Sequence, residues 1–329
     1  MRQLAAVAAL LAAASFPIAS YTTQLVTRDA YLMGTRVQLA THASTRAAGL
    51  ATLESGLRIL EDAERELSTW RADSEISALN RHPPTSPWQA TPRMCRVLAD
   101  VTEWSAATGA AFDPAIGRLL EAWDVHGSGR VPDTDALARA RAASGLALLV
   151  FDRSDCTVTR TADVALDAGA FGKGEALDRV AATLGPGPWM VDLGGHVSAG
   201  GAAPPGGAWP IAIAHPRRRD QPHLNLRLTG GSISTSAGSE RDVDVNGVRV
   251  GHILDPRTGA PAPFLGSVTV WHQRSLVADI LSTALYVMGP EDGLRWAEHR
   301  GVAASYLIAD GAGVRMRTTR AFAPLIAPE

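Results

Sequence analysis

The 329-residue chain is 46 % hydrophobic and 19 % charged, with a net charge of −2 from 31 basic and 33 acidic side chains. That composition can build a substantial globular core, and it lacks the overall positive field that holds a nucleic acid or an anionic membrane. Only Cys95 and Cys156 are present, which excludes a metal site made of cysteines; they could pair in an oxidising compartment or lie apart as two buried small hydrophobes.

Residues 1–20 carry one early positive charge at Arg2, an apolar run from Leu4 to Ala14, then Phe16-Pro17 and the small-residue stretch Ile18-Ala19-Ser20. This is the pattern of a secretory signal cut near Ser20. A membrane span needs about 20 apolar residues, and Pro17 closes this segment early, so export is expected, with residues 21–329 as a single domain. No cysteine lies near the signal to take a lipid.

A strand is predicted over 31–43, followed by a helix over 45–66 capped by Ser44, with Leu50, Leu53, Leu57 and Leu60 at helical spacing. Residues 68–80 read as a turn and a short helix, and the proline-rich stretch 81–92 as a loop. Pro92 opens a helix through Trp104. In 111–124 (AFDPAIGRLLEAWD) Asp113 reads as an N-cap with Pro114 at the first helical position. A further helix is expected over 134–143, then a hairpin turning at Arg153-Ser154-Asp155.

From there strands dominate. Residues 166–185 form a glycine-rich entry into a helix that stops at Gly185, and PWMVDLGGHVSAGG and WPIAIAH are strands joined by glycine-rich turns. The cluster Arg217-Arg218-Arg219 reads as a solvated loop. LNLRL and SISTS precede a hairpin that turns at Asn246-Gly247. SVTVW, a helix over 276–288 ending at Gly289, and a terminal hairpin complete an α+β pattern, with helices towards the front and mixed sheet towards the back.

Three stretches could carry chemistry. In ADILSTAL (278–285), Asp279 and Thr283 stand four apart and share a helical face; they offer hard oxygens suited to magnesium, or they are a surface or capping pair. GAFGKG (169–174) leads into a helix whose N-terminal amides and dipole favour an anion. It fits neither the P-loop nor the dinucleotide spacing, and a plain strand-to-helix turn is the competing account. In HILDPRTGAP (252–261), His252 sits among polar groups beside a strand end, where a neutral imidazole could take a proton from a hydroxyl; a local backbone hydrogen bond explains it equally well. Hydrolase signatures such as G-x-S-x-G and H-E-x-x-H are missing.

MGT (33–35), LSTWRADSEISALN, AFDPAIGRLLEAW, LDAGAFGKGEALD, VDLGGHVSAGG, SISTSAGSER, HILDPRTGAP and SVTV…ADILSTALYVMG together resemble the ordered motifs of the ApbE flavin transferases, or FAD:protein FMN transferases, across residues 33–289. The resemblance implies an α+β fold of two interlocked, T-fold-like lobes. It implies an enzyme that takes FAD as substrate with a magnesium ion (Mg2+), breaks the pyrophosphate, and attaches FMN to a threonine or serine of an acceptor protein such as a subunit of a membrane redox complex, releasing AMP. Carried over by position, the metal ligands are Asp279, Thr283 and the carbonyl of Gly172. The FAD contacts are Met33, Trp70, Ala111, Phe112, Asp113, Gly169, Glu175 and Leu254, and the catalytic histidine is His252. The chain departs from the commoner pattern at Trp70, Glu175, Ala168, Ala170 and His196. The expected compartment is the periplasm, free or held at the inner membrane by an uncleaved signal. Hydrolysis of FAD to FMN and AMP, and flavin binding without turnover, are the rival functions.

Overall fold

The computed structural model describes residues 23–238, 242–245, 248–311 and 313–328; the signal segment at 1–20 and the Asn246-Gly247 turn lie outside them. Strands β1 (Gln24–Leu32) and β2 (Thr35–Ala43) form a hairpin, followed by α1 (Arg46–Leu67), α2 (Glu75–Arg81), β3 (Pro87–Gln89) and α3 (Pro92–Ala107). Next come α4 (Gly117–Ala122), α5 (Thr134–Ala142), the hairpin β4 (Leu149–Asp152) and β5 (Thr157–Arg160), and α6 (Gly172–Leu184). Then follow β6 (Trp189–Leu193), β7 (His196–Gly200), β8 (Trp209–His215), β9 (Arg218–Leu228), β10 (Gly231–Ala237), β11 (Val243–Val245), β12 (Val248–Val250), β13 (Leu254–Asp255), β14 (Ala260–Pro261) and β15 (Gly266–His272). Helix α7 (Ser275–His299) precedes the last hairpin, β16 (Ala303–Asp310) and β17 (Gly313–Thr318).

The expected α+β class is observed. Eight strands form one sheet in the order β1-β2-β6-β7-β10-β15-β16-β17, and each neighbouring pair is antiparallel. Helices α1, α6 and α7 pack on one face. The β8–β9 hairpin covers the other, where Trp209, Ile211, Leu226 and Leu228 join Val197, Ala199, Ile233 and Leu307 in a buried cluster.

Period-two alternation decides what each face receives. Along β10, Ile233 enters the hairpin-side core, whereas Ser232, Ser234 and Ser236 point to the helix side and bond His196, Asp279 and Ser282. A row of buried serines is costly unless paired. Here each hydroxyl has a partner, so the strand delivers polarity to one place without leaving it stranded.

Several local expectations give way to tertiary context. The strand predicted over 31–43 is interrupted by a turn at Met33-Gly34, both at positive φ (51° and 71°). Thr45, one residue after the expected cap, accepts the Ala48 N–H. The loop over 81–92 contributes β3 to an edge pairing with β5. Asp113 does not cap a helix: its carboxylate accepts the N–H groups of Ala115 and Leu146 at 2.8 and 2.9 Å, and the helix begins only at Gly117. Cys95 and Cys156 are joined as a disulfide that ties α3 to the turn before β5 across 61 positions of sequence.

Helix α7 runs past its expected end but bends at Gly289 (φ 78°), ahead of Pro290. Proline supplies no N–H and crowds the preceding turn. The fully buried Tyr306 meets the exposed carbonyls: its hydroxyl donates to Leu285 O at 2.7 Å and lies 3.1 Å from Gly289 O. Tyr306→Phe should therefore lower unfolding free energy by about 1–3 kcal/mol, the cost of buried acceptors without a donor, measured by urea denaturation; an unchanged midpoint would show that the bend needs no such donor.

Candidate active site

Two helices lock together at the centre of the helix-covered face. In α7, the Asp279 carboxylate takes the N–H of Gly174, in the first turn of α6, at 2.9 Å. In return Asp178 of α6 accepts the N–H groups of Ser275 and Leu276, which open α7. Each helix thus satisfies amide donors at the other's start that have no partner within their own helix. The approach requires glycine at 174, because a Cβ there would lie 2.7 Å from Leu276 Cα and 2.9 Å from Asp279 Cβ.

Asp279 is 4 % exposed. Ser234 Oγ donates to it at 3.3 Å and His196 Nδ1 stands 3.6 Å away. Burial alone would raise its pKa, but the charges of His196 and Lys173 and the Gly174 N–H outweigh it and hold the carboxyl below the ordinary range. The group therefore stays ionised although it is inside the protein. One turn on, Thr283 Oγ1 is 3.5 Å from Ser236 Oγ.

Asp279 and Thr283 form part of the wall of a cavity of about 370 Å3. Gly169, Ala170 and Lys173 reach it from the entry to α6, Trp70 and His126 from the opposite rim, and His252 and Leu254 from the loop after β12. Trp70 is 70 % exposed, with its ring edge-on to His126 at 4.8 Å. Behind this pair a second hollow of about 410 Å3 opens between α2 and α4, bordered by Asn80, Arg81 and Arg118. Trp70, His126 and Asp167 line both hollows, which gives the site two compartments.

His252 is fixed by a residue that sequence reasoning passed over. Asp242 sits 3.2 Å from His252 Nδ1 and also accepts the histidine's backbone N–H at 3.4 Å. With Nδ1 turned to a carboxylate, Nε2 is the nitrogen left to accept a proton. The rest of its loop holds itself together: Asp255 pairs with Arg257 and caps the turn through Thr258 and Gly259, and Trp123 Nε1 ties the Gly259 carbonyl to α4 at 2.8 Å. A capped turn thus accounts for 255–259, while His252 lies outside it.

Six of the residues singled out from sequence therefore meet in one cavity: Trp70, Gly169, His252, Leu254, Asp279 and Thr283. The others stand back from it. Gly172 is buried in the first turn of α6, its N–H on Ala168 O at 2.7 Å; from this loop it is Gly169, Ala170 and Lys173 that reach the cavity. Met33 turns the β1–β2 hairpin and gives its N–H to Glu64 Oε1 at 2.8 Å. Ala111 and Phe112 are buried in the main core, and Asp113 braces a turn there. Glu175 is paired with Arg179, which also binds Glu66; burial outweighs that pairing and raises its pKa. Besides Asp242, sequence reasoning missed His126 as a wall residue and the serine row. The alternation in SISTS signalled the serines, whereas nothing local marked Asp242.

The donor set suits a hard divalent cation. A carboxylate has about four acceptor positions; Gly174 N–H and Ser234 O–H use two of those on Asp279, and Thr283 offers its hydroxyl to the same cavity. Magnesium in particular accepts few protein ligands and completes its shell with water and phosphate oxygens.

The sequence profile of the ApbE family matches residues 33–306. Among curated proteins, the FAD:protein FMN transferase of Klebsiella pneumoniae is 30 % identical over 267 residues, covering 78 % of this chain and 76 % of that protein. Among solved structures, the apo flavinyl transferase ApbE of Pseudomonas stutzeri superposes with a TM-score of 0.82 at 30 % identity, covering 93 % of this chain and 98 % of the other. The ApbE protein of Thermotoga maritima gives 0.85 at 27 % identity, over 93 % of this chain and all of that one.

Proposed function

The chain belongs to the ApbE family, and on that premise we propose that it transfers the FMN half of FAD to a threonine or serine hydroxyl of an acceptor protein, with magnesium, releasing AMP. The observation that carries this reading is the meeting, across one cavity, of the Asp279–Thr283 pair with a histidine oriented by a carboxylate. Phosphoryl transfer asks little of a protein beyond positioning and neutralisation of charge, and these walls are equipped for both.

Asp279, Thr283 and a main-chain carbonyl within 169–172 would hold the magnesium ion, whose chemistry is to neutralise the diphosphate and ease departure of AMP. Lys173 and the amide end of α6 add positive potential on the same wall. Trp70 presents an aromatic surface to a flat ring, and the two compartments on either side of it suit a ligand with two planar ends. On the opposite wall, His252 Nε2 accepts the proton of the acceptor hydroxyl as its oxygen bonds to the phosphorus of the FMN half. The bond that breaks joins that phosphorus to the bridging oxygen, and AMP departs with it. Asp242 keeps the imidazole turned to the cavity throughout.

We place this activity outside the cytoplasm, since the signal pattern at 1–20 and the Cys95–Cys156 disulfide both favour an exported, oxidising setting. The deciding experiment incubates the protein with FAD, magnesium and a protein bearing an FMN-attachment threonine, then weighs the acceptor intact. A gain of one FMN, with stoichiometric AMP, is the expected result. FMN and AMP free in solution would establish a pyrophosphatase instead, and FAD bound but unchanged a carrier.

A further inference from the structure

The β8–β9 hairpin turns beside the cavity on an arginine cluster that nothing in the flavin chemistry uses. Arg217, Arg218 and Arg219 are exposed there. The turn is built rather than loose: the buried His215 accepts the backbone N–H groups of Arg217 and Arg218 on Nδ1, at 3.1 and 3.2 Å. Arg217 lies over the Phe264 ring at 5.7 Å. Arg217 and Arg218 are both open to solvent at the turn.

Below the turn a groove of about 110 Å3 runs between the hairpin and the sheet, with Arg219 and His215 on one side and Ser267 on the other. Thr235 and Ala237, at the end of β10, line both this groove and the flavin cavity. The cavity that holds His252 and the groove that leads to the arginines are thus neighbours across a single strand end. Of the three arginines, Arg219 lines the groove itself, and Arg217 and Arg218 precede it at the turn.

Resting on the transfer reading above, we propose that the acceptor's segment enters over the C-terminal end of β10, and that the residues flanking its hydroxyl are acidic and lie against Arg217 and Arg218. Charge complementarity of this sort sets partner choice and association rate. A cluster of three arginines on a chain of net charge −2 is too small a field for a nucleic acid. It matches a short run of aspartates or glutamates.

The test uses the full-length protein and its double variant R217E/R218E; Arg219 is left unchanged. Two fluorescent peptides with one central threonine serve as probes, one flanked by glutamates and the other by lysines. The glutamate peptide should bind wild type and weaken at least about tenfold in the variant and with added salt, while the variant should prefer the lysine peptide. AMP release from FAD without acceptor should be equal in the two proteins. Equal binding of both peptides, indifference to the charge reversal, or a preference for phosphatidylglycerol vesicles over the glutamate peptide would overturn the proposal. A wild type that binds the glutamate peptide yet leaves FAD uncut would instead defeat the transfer reading alone.

Discussion

Replacing Asp279 with alanine should reduce magnesium-dependent release of AMP from FAD by about a thousandfold or more while the protein stays folded. The magnitude follows from what a bound cation contributes to a diphosphate displacement, several kcal/mol of charge stabilisation, at roughly 1.4 kcal/mol per factor of ten. The carboxylate also takes the Gly174 N–H and faces His196, so its removal leaves buried polar groups uncompensated at a cost of about 1–3 kcal/mol. Asp279→Asn separates the two roles. The amide oxygen can still accept from Gly174, which should restore most of the stability, but a neutral ligand should not restore activity at ordinary magnesium concentrations. The measurements are AMP release against magnesium concentration and the urea midpoint of each variant. Undiminished turnover in both would end the case for a metal at this position.

What the sequence could disclose depended on whether the information was local. The α7 pair was legible because two residues four apart share a face in any helix; the serines of SISTS were passed over, although the alternation of the strand places them on one face. Cap positions and turns were read within a residue or so where one side chain decides them, as at Thr45. Asp113 misled because Asp-Pro writes a helix start whose carboxylate is in fact taken by Leu146, 33 residues away. The break at Met33-Gly34 was hidden by the alternation on either side of it. Asp242 was illegible for a related reason: its function is defined only by His252, which the β11–β12 hairpin brings back to it. The opening of the second compartment is likewise a product of packing, since Trp70 and His126 touch only after α2 and α4 are in place.

The same dependence frames the other large effect. His252→Ala should slow transfer to an acceptor threonine by about 10²–10⁴-fold, the usual contribution of a positioned general base, with the apparent affinity for FAD little changed. The separation is expected because Asp279, Thr283 and Lys173 belong to α6 and α7, whereas His252 belongs to the loop held by α4. Its side chain is only partly buried, so truncation opens no core cavity and the fold should be unaffected. Asp242→Asn should give a smaller loss, because an amide can still contact Nδ1 but no longer favours the orientation and protonation that leave Nε2 as the acceptor. An ordering of wild type above Asp242→Asn above His252→Ala, at nearly constant KM for FAD, is what a base and its positioning residue produce. If His252→Ala instead raised KM and left kcat untouched, the imidazole would be a binding group, and the proton would have to leave by another route.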